Sequence, residues 1–482
     1  MTNLLWFRGH DLRVFDNKAL NQAIKLQEPL ICLYIHDDKE FTTNSSGQKI
    51  HNSWAIGQAS KWWLHQALAD LKLTLSQLGN DLVIRQGNCQ DILTEFVEIY
   101  KVNQIFFHNR FEPFYRLQTE TIKRHLLNKG VKVNIENSSL LYPIETIKNQ
   151  EGNIYSTFTS FFKHTFNNYT PAYCLPTPKL IPKSNYLINS TPLEDLKLEP
   201  RINWTNGFRE SFTPTQEGGM KLLKTFLETK VNNYSVARNF PSQDGISKLS
   251  PYLHFGQVSV NYIFYQVLAL KEEFACDKDF SQNAQIYINE LGWREFAYYN
   301  MWHKPYTTNE ALRSEFKNFP WEVNESFLKA WQKGQTGYPI VDAGMRELWH
   351  TGFMHNRVRM IVASFLCKDL FINWLDGAKW FWDTLVDADL ASNTLGWQWT
   401  AGCGVDAQPY FRIFNPVLQS QKFDPSGIYI RKWLPELNSV SPSYIHQPWL
   451  ETLIKINYPK PILDHNLARL KALQTWKGLR KS

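Results

Sequence analysis

Strand-like and helix-like segments alternate strictly through the first 135 residues, and this constrains the fold more than any other feature of the chain. Short apolar runs at Leu4–Phe7, Leu30–Ile35, Asp81–Arg85, Gln104–Phe107 and Val131–Ile135 read as strands. Helical patterns fill the intervals at 17–27, 57–79, 89–100 and 113–129. Strand–helix alternation predicts parallel strands with crossover helices, hence a doubly wound α/β sheet. The turn after the first strand, Arg8-Gly-His-Asp-Leu-Arg13, is not G-x-G-x-x-G, so a nicotinamide dinucleotide site has little support there.

From residue 136 to 215 the character changes. Prolines recur at 143, 171, 176, 178, 182, 192, 200 and 214 among many Asn and Thr. The stretch reads as an irregular connector, whose length requires that part of it be ordered against both neighbours. Beyond residue 216 the pattern is helical: Glu217–Lys230, Val258–Leu270, Phe280–Trp302, Asn324–Lys333, Tyr338–Gly352, Asn356–Asp369 and Trp374–Val386. The basic end, Leu467–Ser482, reads as one more helix. The expected organisation is an α/β domain (1–135), a connector (136–215) and a large all-α domain (216–482).

A net charge of +7 favours a polyanionic partner. Six cysteines without C-x-x-C spacing argue against a disulfide framework and against zinc or iron–sulfur sites, and point to a reducing cytoplasm. The N-terminus lacks a signal-peptide pattern, and no run of about 18 apolar residues predicts a membrane span. Tryptophan is abundant at 18 residues, so position must separate core indoles from functional ones.

The densest chemistry lies in Asp387-Ala-Asp-Leu-Ala-Ser-Asn-Thr-Leu-Gly-Trp397-Gln-Trp399, followed by Asp406-Ala-Gln-Pro-Tyr-Phe-Arg412-Ile-Phe-Asn-Pro416. Glycine and asparagine weaken helices, and acids are rarely buried unpaired, so such a stretch reads as a site. Three other segments carry similar mixtures. Tyr234 to Gly256 is a polar loop entering a helix, where hydroxyls and free amides can cradle phosphate; the plainer reading is an N-cap at Ser250 ahead of Pro251. Asn289-Glu290-Leu-Gly-Trp293-Arg294 offers an acid, an indole and a guanidinium; Glu290 and Arg294 have the spacing of a surface ion pair. In His355-Asn356-Arg357-Val-Arg359-Met360, a buried arginine would need an acid, for which Asp369 is a candidate.

These motifs resemble those of the photolyase/cryptochrome family, most nearly a class I cyclobutane pyrimidine dimer photolyase. The likeness runs from Trp6-Phe-Arg8-x-x-Asp11-Leu-Arg13-x-x-Asp16-Asn17, through Trp293-Arg294-Glu-Phe and His355-Asn356-Arg357-x-Arg359-Met360, to Trp397-Gln-Trp399 and Tyr410-Phe-Arg412-Ile-Phe-Asn-Pro416. It implies non-covalent FAD in the helical domain. Tyr234 and the loop Ile246, Ser247, Lys248, Leu249 and Ser250 would hold the diphosphate, with Ile246 standing where the family usually has threonine. Arg294, Asn356, Arg359, Asp387, Asp389 and Asn393 match cofactor-facing positions. A neutral amide at Asn393 tolerates an anionic reduced flavin better than an aspartate would.

The resemblance further implies light-driven repair of damaged single- or double-stranded DNA. Excited reduced FAD passes an electron to a flipped-out pyrimidine dimer and regains it after ring opening. Arg238, Tyr287, Glu290, Trp293, Asn356, Arg357, Met360, Trp399 and Arg412 match lesion or DNA contacts, the arginines meeting phosphate. Trp397, Trp374 and Trp321 match an electron relay, with Trp397 nearest the flavin and Trp321 nearest solvent. The amide and thioether at Asn356 and Met360 stand where a (6-4) enzyme would carry histidines, which favours the cyclobutane dimer. The alternative is a cryptochrome-type blue-light receptor, against which stand the complete lesion set and the lack of a long C-terminal signalling tail. A second, light-harvesting chromophore, a folate or a deazaflavin, would be lined by Cys32–Asp38, Ser53–Lys61 and His108–Glu112. A monomer without an obligate protein partner is expected.

Overall fold

In a computed structural model the described residues are 2–44, 46–407 and 409–479. The first layer is a five-stranded parallel sheet in the order β5-β2-β1-β6-β7. Its strands are β1 (Thr2–Phe7), β2 (Leu30–His36), β5 (Leu82–Gln86), β6 (Val102–His108) and β7 (Lys132–Glu136). Between them run α1 (Lys18–Lys25), α2 (Gln58–Gln77), α3 (Cys89–Ile99) and α4 (Pro113–Asn128). β1 and β2 are buried along their whole length, as helices on both faces of a parallel sheet require. The strand and helix expectations therefore hold to within two residues. A small antiparallel hairpin, β3 (Phe41–Thr43) with β4 (Lys49–His51), was not expected.

The 136–215 stretch touches both neighbours. It contains α5 (Phe158–Asn168), which buries Phe158, Phe161 and Thr165, and α6 (Asn206–Ser211). Thr191 donates its N–H to Ile84 O on the sheet, and α5 packs on a helix of the second layer.

That second layer is helical. It comprises α7 (Gln216–Thr229), α8 (Tyr234–Ala237), α9 (Ser250–His254), α10 (Val260–Glu273), α11 (Lys278–His303), α12 (Glu325–Gln332) and α13 (Pro339–Thr351). It continues through α14 (Asn356–Ser364), α15 (Trp374–Thr384), α16 (Leu390–Ala401), α17 (Pro416–Phe423), α18 (Ile428–Trp433) and α19 (His465–Leu479). The expected helix 356–369 is α-helical to Ser364 and closes in a π-helical turn over Phe365–Asp369. The Asp387–Trp399 run, read as a helix-weakening segment, forms α16 because Asp389 caps it and Gly402 (φ 86°) ends it.

The layers meet without slack. Trp63 on α2 packs against Phe212, Tyr252 and Phe255 and donates to Gln257 Oε1 at 2.8 Å. Gly256 sits at φ 67°, and a Cβ there would lie 2.1 Å from His10 O. Arg13 donates to Gly256 O at 2.8 Å, and Leu12 N–H to Phe255 O at 3.1 Å.

Candidate functional site

A cavity of about 170 Å³ opens between α14, α16 and the turn that precedes α16. α14 contributes Asn356, Arg359 and Met360, and the turn contributes Asp387 and Asp389. One face of α16 contributes Ser392, Asn393, Gly396, Trp397 and Thr400, spaced at the three-and-four interval of a single helical face.

The carboxylates at its edge are fixed. Arg359 Nη2 donates to both oxygens of Asp387, at 3.0 and 2.9 Å, while its Nε donates to Met354 O at 2.7 Å. Ser250 Oγ donates to Asp387 Oδ2 at 2.6 Å. The Ser250 hydroxyl is thus not a helix cap; Leu249 occupies the cap of α9. Asp389 Oδ1 accepts from Ser392 N–H at 2.7 Å, and its Oδ2 accepts from the Tyr298 hydroxyl. His254 Nδ1 stands 3.9 Å from that oxygen. Burial opposes the charge on Asp389, but His254, Arg294 and Tyr298 outweigh it and hold the carboxyl well below the usual range.

Asn393 lines the cavity and donates its amide to Ala378 O at 3.0 Å. Trp397 is buried, and its Nε1 finds no partner among the described residues. Its ring contacts are with Phe381 and Trp331, and that of Trp321 is with Phe319, so the three relay candidates do not stack on one another. Trp397 and Trp374 are buried and Trp321 is half-buried.

The phosphate-loop candidates lie along one segment. Tyr234 is buried against Phe226 and Tyr287, and Tyr287 donates to Ser247 Oγ at 3.1 Å. Ile246 is half-buried against the core and Leu249 fully buried. Lys248 holds a left-handed backbone (φ 56°), uncommon for a residue with a Cβ.

Two expected ion pairs are absent, and other partners take their place. Glu290 does not pair with Arg294 but with Arg238, Nη1 to Oε1 at 2.5 Å. Arg294 instead donates to Ser139 O at 2.7 Å, lies 3.5 Å from Glu295 and covers the Tyr298 ring. Asp369 serves neither Arg357 nor Arg359; it meets His465 Nδ1 at 2.5 Å. Arg357 donates to Asn239 Oδ1 at 2.5 Å and lies over Phe423. Trp293 is stacked by Phe158, and Trp399 is half-buried on α16. Arg412 is exposed, its carbonyl accepting from the buried Lys368.

Sequence reasoning missed Phe158, Tyr298 and His254. Tyr298 lies four residues beyond Arg294 on α11, a helical spacing that could have flagged it. Phe158 and His254 carried no such signal.

A second cavity, about 300 Å³, lies at the carboxyl ends of β1, β2 and β6, the crevice where open α/β sheets bind ligands. Its lining includes Tyr34, Asp37, Trp54, Ser60, Arg110 and Glu112, drawn from all three expected segments, and also His10 and His254. Among the described residues no group of three or more His, Cys, Asp or Glu could hold a metal, and no helix is long and apolar enough to cross a membrane.

Residues 287–478 match the FAD binding domain of DNA photolyase, and residues 3–182 match DNA photolyase. The deoxyribodipyrimidine photo-lyase of Agrobacterium fabrum is 36% identical over 489 residues, covering 99% of this chain and 98% of its own. The chain belongs to the photolyase/cryptochrome family. Cryptochrome-2 of Arabidopsis thaliana is 35% identical over 97% of this chain and 77% of its own. Among solved structures, a bacterial class III photolyase from Agrobacterium tumefaciens superposes with a TM-score of 0.92 at 36% identity, covering 100% of this chain and 98% of that one. These photolyase relatives do not support the class I expectation, since the one with a stated class is class III. The helical layer carries a photolyase-type FAD-binding domain. The α14–α16 cavity suits such a group: it offers the fixed carboxylates of Asp387 and Asp389 and the Asn393 amide beside the apolar walls of Phe381, Leu385 and Trp397.

Proposed function

We propose that the protein is a deoxyribodipyrimidine photo-lyase, repairing cyclobutane pyrimidine dimers in DNA by light, of the class III type rather than class I. One observation carries this reading. Asn356 and Met360 share a single chamber with Asn393 and Trp397, so lesion-facing and cofactor-facing residues open into the same space. Reduced FAD, when bound and excited by light, supplies the electron that opens the dimer ring and takes it back.

The chain's own residues do the rest. Asp387, locked by Arg359 and Ser250, and Asp389, locked by Tyr298 and its own helix start, present fixed acceptors to donor groups of the cofactor. Arg294 and Asn393 complete that face, and Tyr234 with Ile246, Ser247, Lys248, Leu249 and Ser250 receives the diphosphate. Trp293 and Trp399 wall the dimer, and Glu290 and Tyr287 meet its polar edge. Arg238, Arg357 and Arg412 position the phosphates. Trp397, Trp374 and Trp321, ordered by burial, feed an electron inward from the surface. The cavity at the ends of β1, β2 and β6 houses a folate or deazaflavin antenna. Six unpaired cysteines accord with a reducing cytoplasm.

Purified protein with reduced FAD should restore dimer-containing oligonucleotides under near-UV or blue light and not in the dark. Restoration of (6-4) DNA alone, or of neither lesion, overturns the reading. The second reading, a cryptochrome-type receptor without repair activity, draws on the 35% identity to Cryptochrome-2. It predicts flavin absorbance without preferential binding of dimer DNA.

A further inference from the structure

Arg238 follows the last turn of α8, and Glu290 lies in the middle of α11. Their side chains meet at 2.5 Å while remaining partly open to solvent, 23% and 31% exposed. The guanidinium also covers the Tyr234 ring at 5.3 Å. Tyr287 turns its hydroxyl away, toward Ser247. Arg357 on α14 is near enough to repel Arg238 and is engaged by Asn239. Arg238, a proposed phosphate contact, is therefore already held by Glu290, a proposed lesion contact.

We infer that Glu290 sets the preference for damaged over undamaged DNA by competing with the DNA backbone for Arg238. The inference rests on the repair reading above. DNA that recruits the Nη1 side of Arg238 must first part it from Glu290. Undamaged DNA leaves that carboxylate unpartnered and brings further negative charge close to it. A dimer turned into the pocket offers imide N–H donors, which give Glu290 a new partner. The ion pair thus weakens binding of all DNA, and only the lesion compensates. Selectivity of this kind comes from an element that acts against the wrong ligand.

The test uses the full chain with FAD bound, and oligonucleotides that differ only in one cyclobutane thymine dimer, titrated by fluorescence anisotropy. Glu290→Gln keeps the shape and removes the charge. Its affinity for undamaged DNA should rise about twofold to fivefold, the range expected when a partly exposed ion pair no longer competes. Its affinity for dimer DNA should fall, so that discrimination shrinks from both sides. In an Arg238→Ala background the same substitution should leave undamaged binding unchanged. Flavin absorbance confirms that each variant is folded. A rise that persists without Arg238 reflects net charge alone and overturns the inference. So does an unchanged undamaged affinity in Glu290→Gln, while a wild-type preference for dimer DNA keeps the repair reading standing. A wild type that does not prefer dimer DNA removes the repair reading itself, and the inference with it.

Discussion

Phe158 lies flat against Trp293, with ring centroids 3.9 Å apart and planes 11° from parallel. Phe158 opens α5, and its N–H donates to Asp406 Oδ2 at 3.0 Å, so two separate loops combine to hold one indole. A stacked aromatic pair contributes about 0.5–1.5 kcal/mol beyond its buried area. Phe158→Leu keeps the apolar bulk but loses the flat support. It should weaken dimer-DNA binding by roughly 0.5–1 kcal/mol with flavin content unchanged. Trp293→Ala removes the indole itself and should cost roughly 1–3 kcal/mol in the same titration. Equal binding by Phe158→Leu and wild type would show that the stack does not orient the pocket.

Trp397 owes its position to an absent side chain. A Cβ at Gly377 would lie 2.1 Å from Trp397 Cη2 and 2.6 Å from Leu366 Cδ2. Gly377→Ala gains roughly 0.5–1 kcal/mol of helix propensity. Overpacking the buried interface costs roughly 1–3 kcal/mol, so net destabilisation should win. Urea unfolding measures that balance. Blue-light reduction of the bound flavin with an external electron donor should also slow, because the indole must move. An unchanged photoreduction rate would count against a relay role for Trp397.

Asp387 is the acid on which Arg359 and Ser250 converge. In Asp387→Asn the guanidinium loses its counter-charge and the cavity loses a fixed acceptor. FAD affinity should fall by roughly 1.5–3 kcal/mol, the worth of a charge-assisted hydrogen bond. Equilibrium dialysis followed by flavin absorbance reads this directly, and circular dichroism should show the helices retained. Full flavin occupancy in the variant would move the cofactor's acceptor elsewhere.

His355 is buried and caps α14, its Nδ1 accepting the Arg357 N–H at 3.2 Å. Burial first, and then Arg357 and Arg359, push its pKa down to about 3. An unfolded histidine titrates near 6.5. Below that pH the unfolded chain takes up a proton that the folded protein refuses. The contribution is complete above pH 6.5 and is lost as pH falls toward 3. Between pH 6.5 and 4.5 stability should drop by roughly 2–3 kcal/mol from this residue. His355→Asn retains a capping acceptor that does not titrate, so its urea midpoint should depend less on pH over that interval. Parallel pH profiles for the two proteins would refute the assignment.

The parallel sheet was legible because its inner strands are buried on both faces and interrupted only by helical patterns. The hairpin at Phe41–His51 was not, since three-residue strands with only Thr42 buried are too short to carry a periodic signal. α5 is rich in Phe, Thr and Asn, weak helix formers, and its burial against α11 overrides that preference. In the site, residue types were readable but partners were not. Ser250 meets Asp387 across 137 residues, and Tyr298 meets Asp389 across 91. Asp369 was matched to a nearby arginine because its true partner, His465, lies 96 residues away on the last helix. Local spacing finds charges; only the folded chain decides which of them meet.

The joint at Gly256 reaches beyond stability. With the His10 carbonyl where even a methyl group would sit, the sheet and the helices have no play between them. One chamber lies at that seam and the other among the helices, with Ala388 lining both, so the tight joint holds them at one separation and one relative orientation. Resonance transfer between dyes depends steeply on both quantities. A pigment lodged above the sheet would hand its excitation to an acceptor among the helices with the same efficiency in every molecule, as long as the chain stays folded.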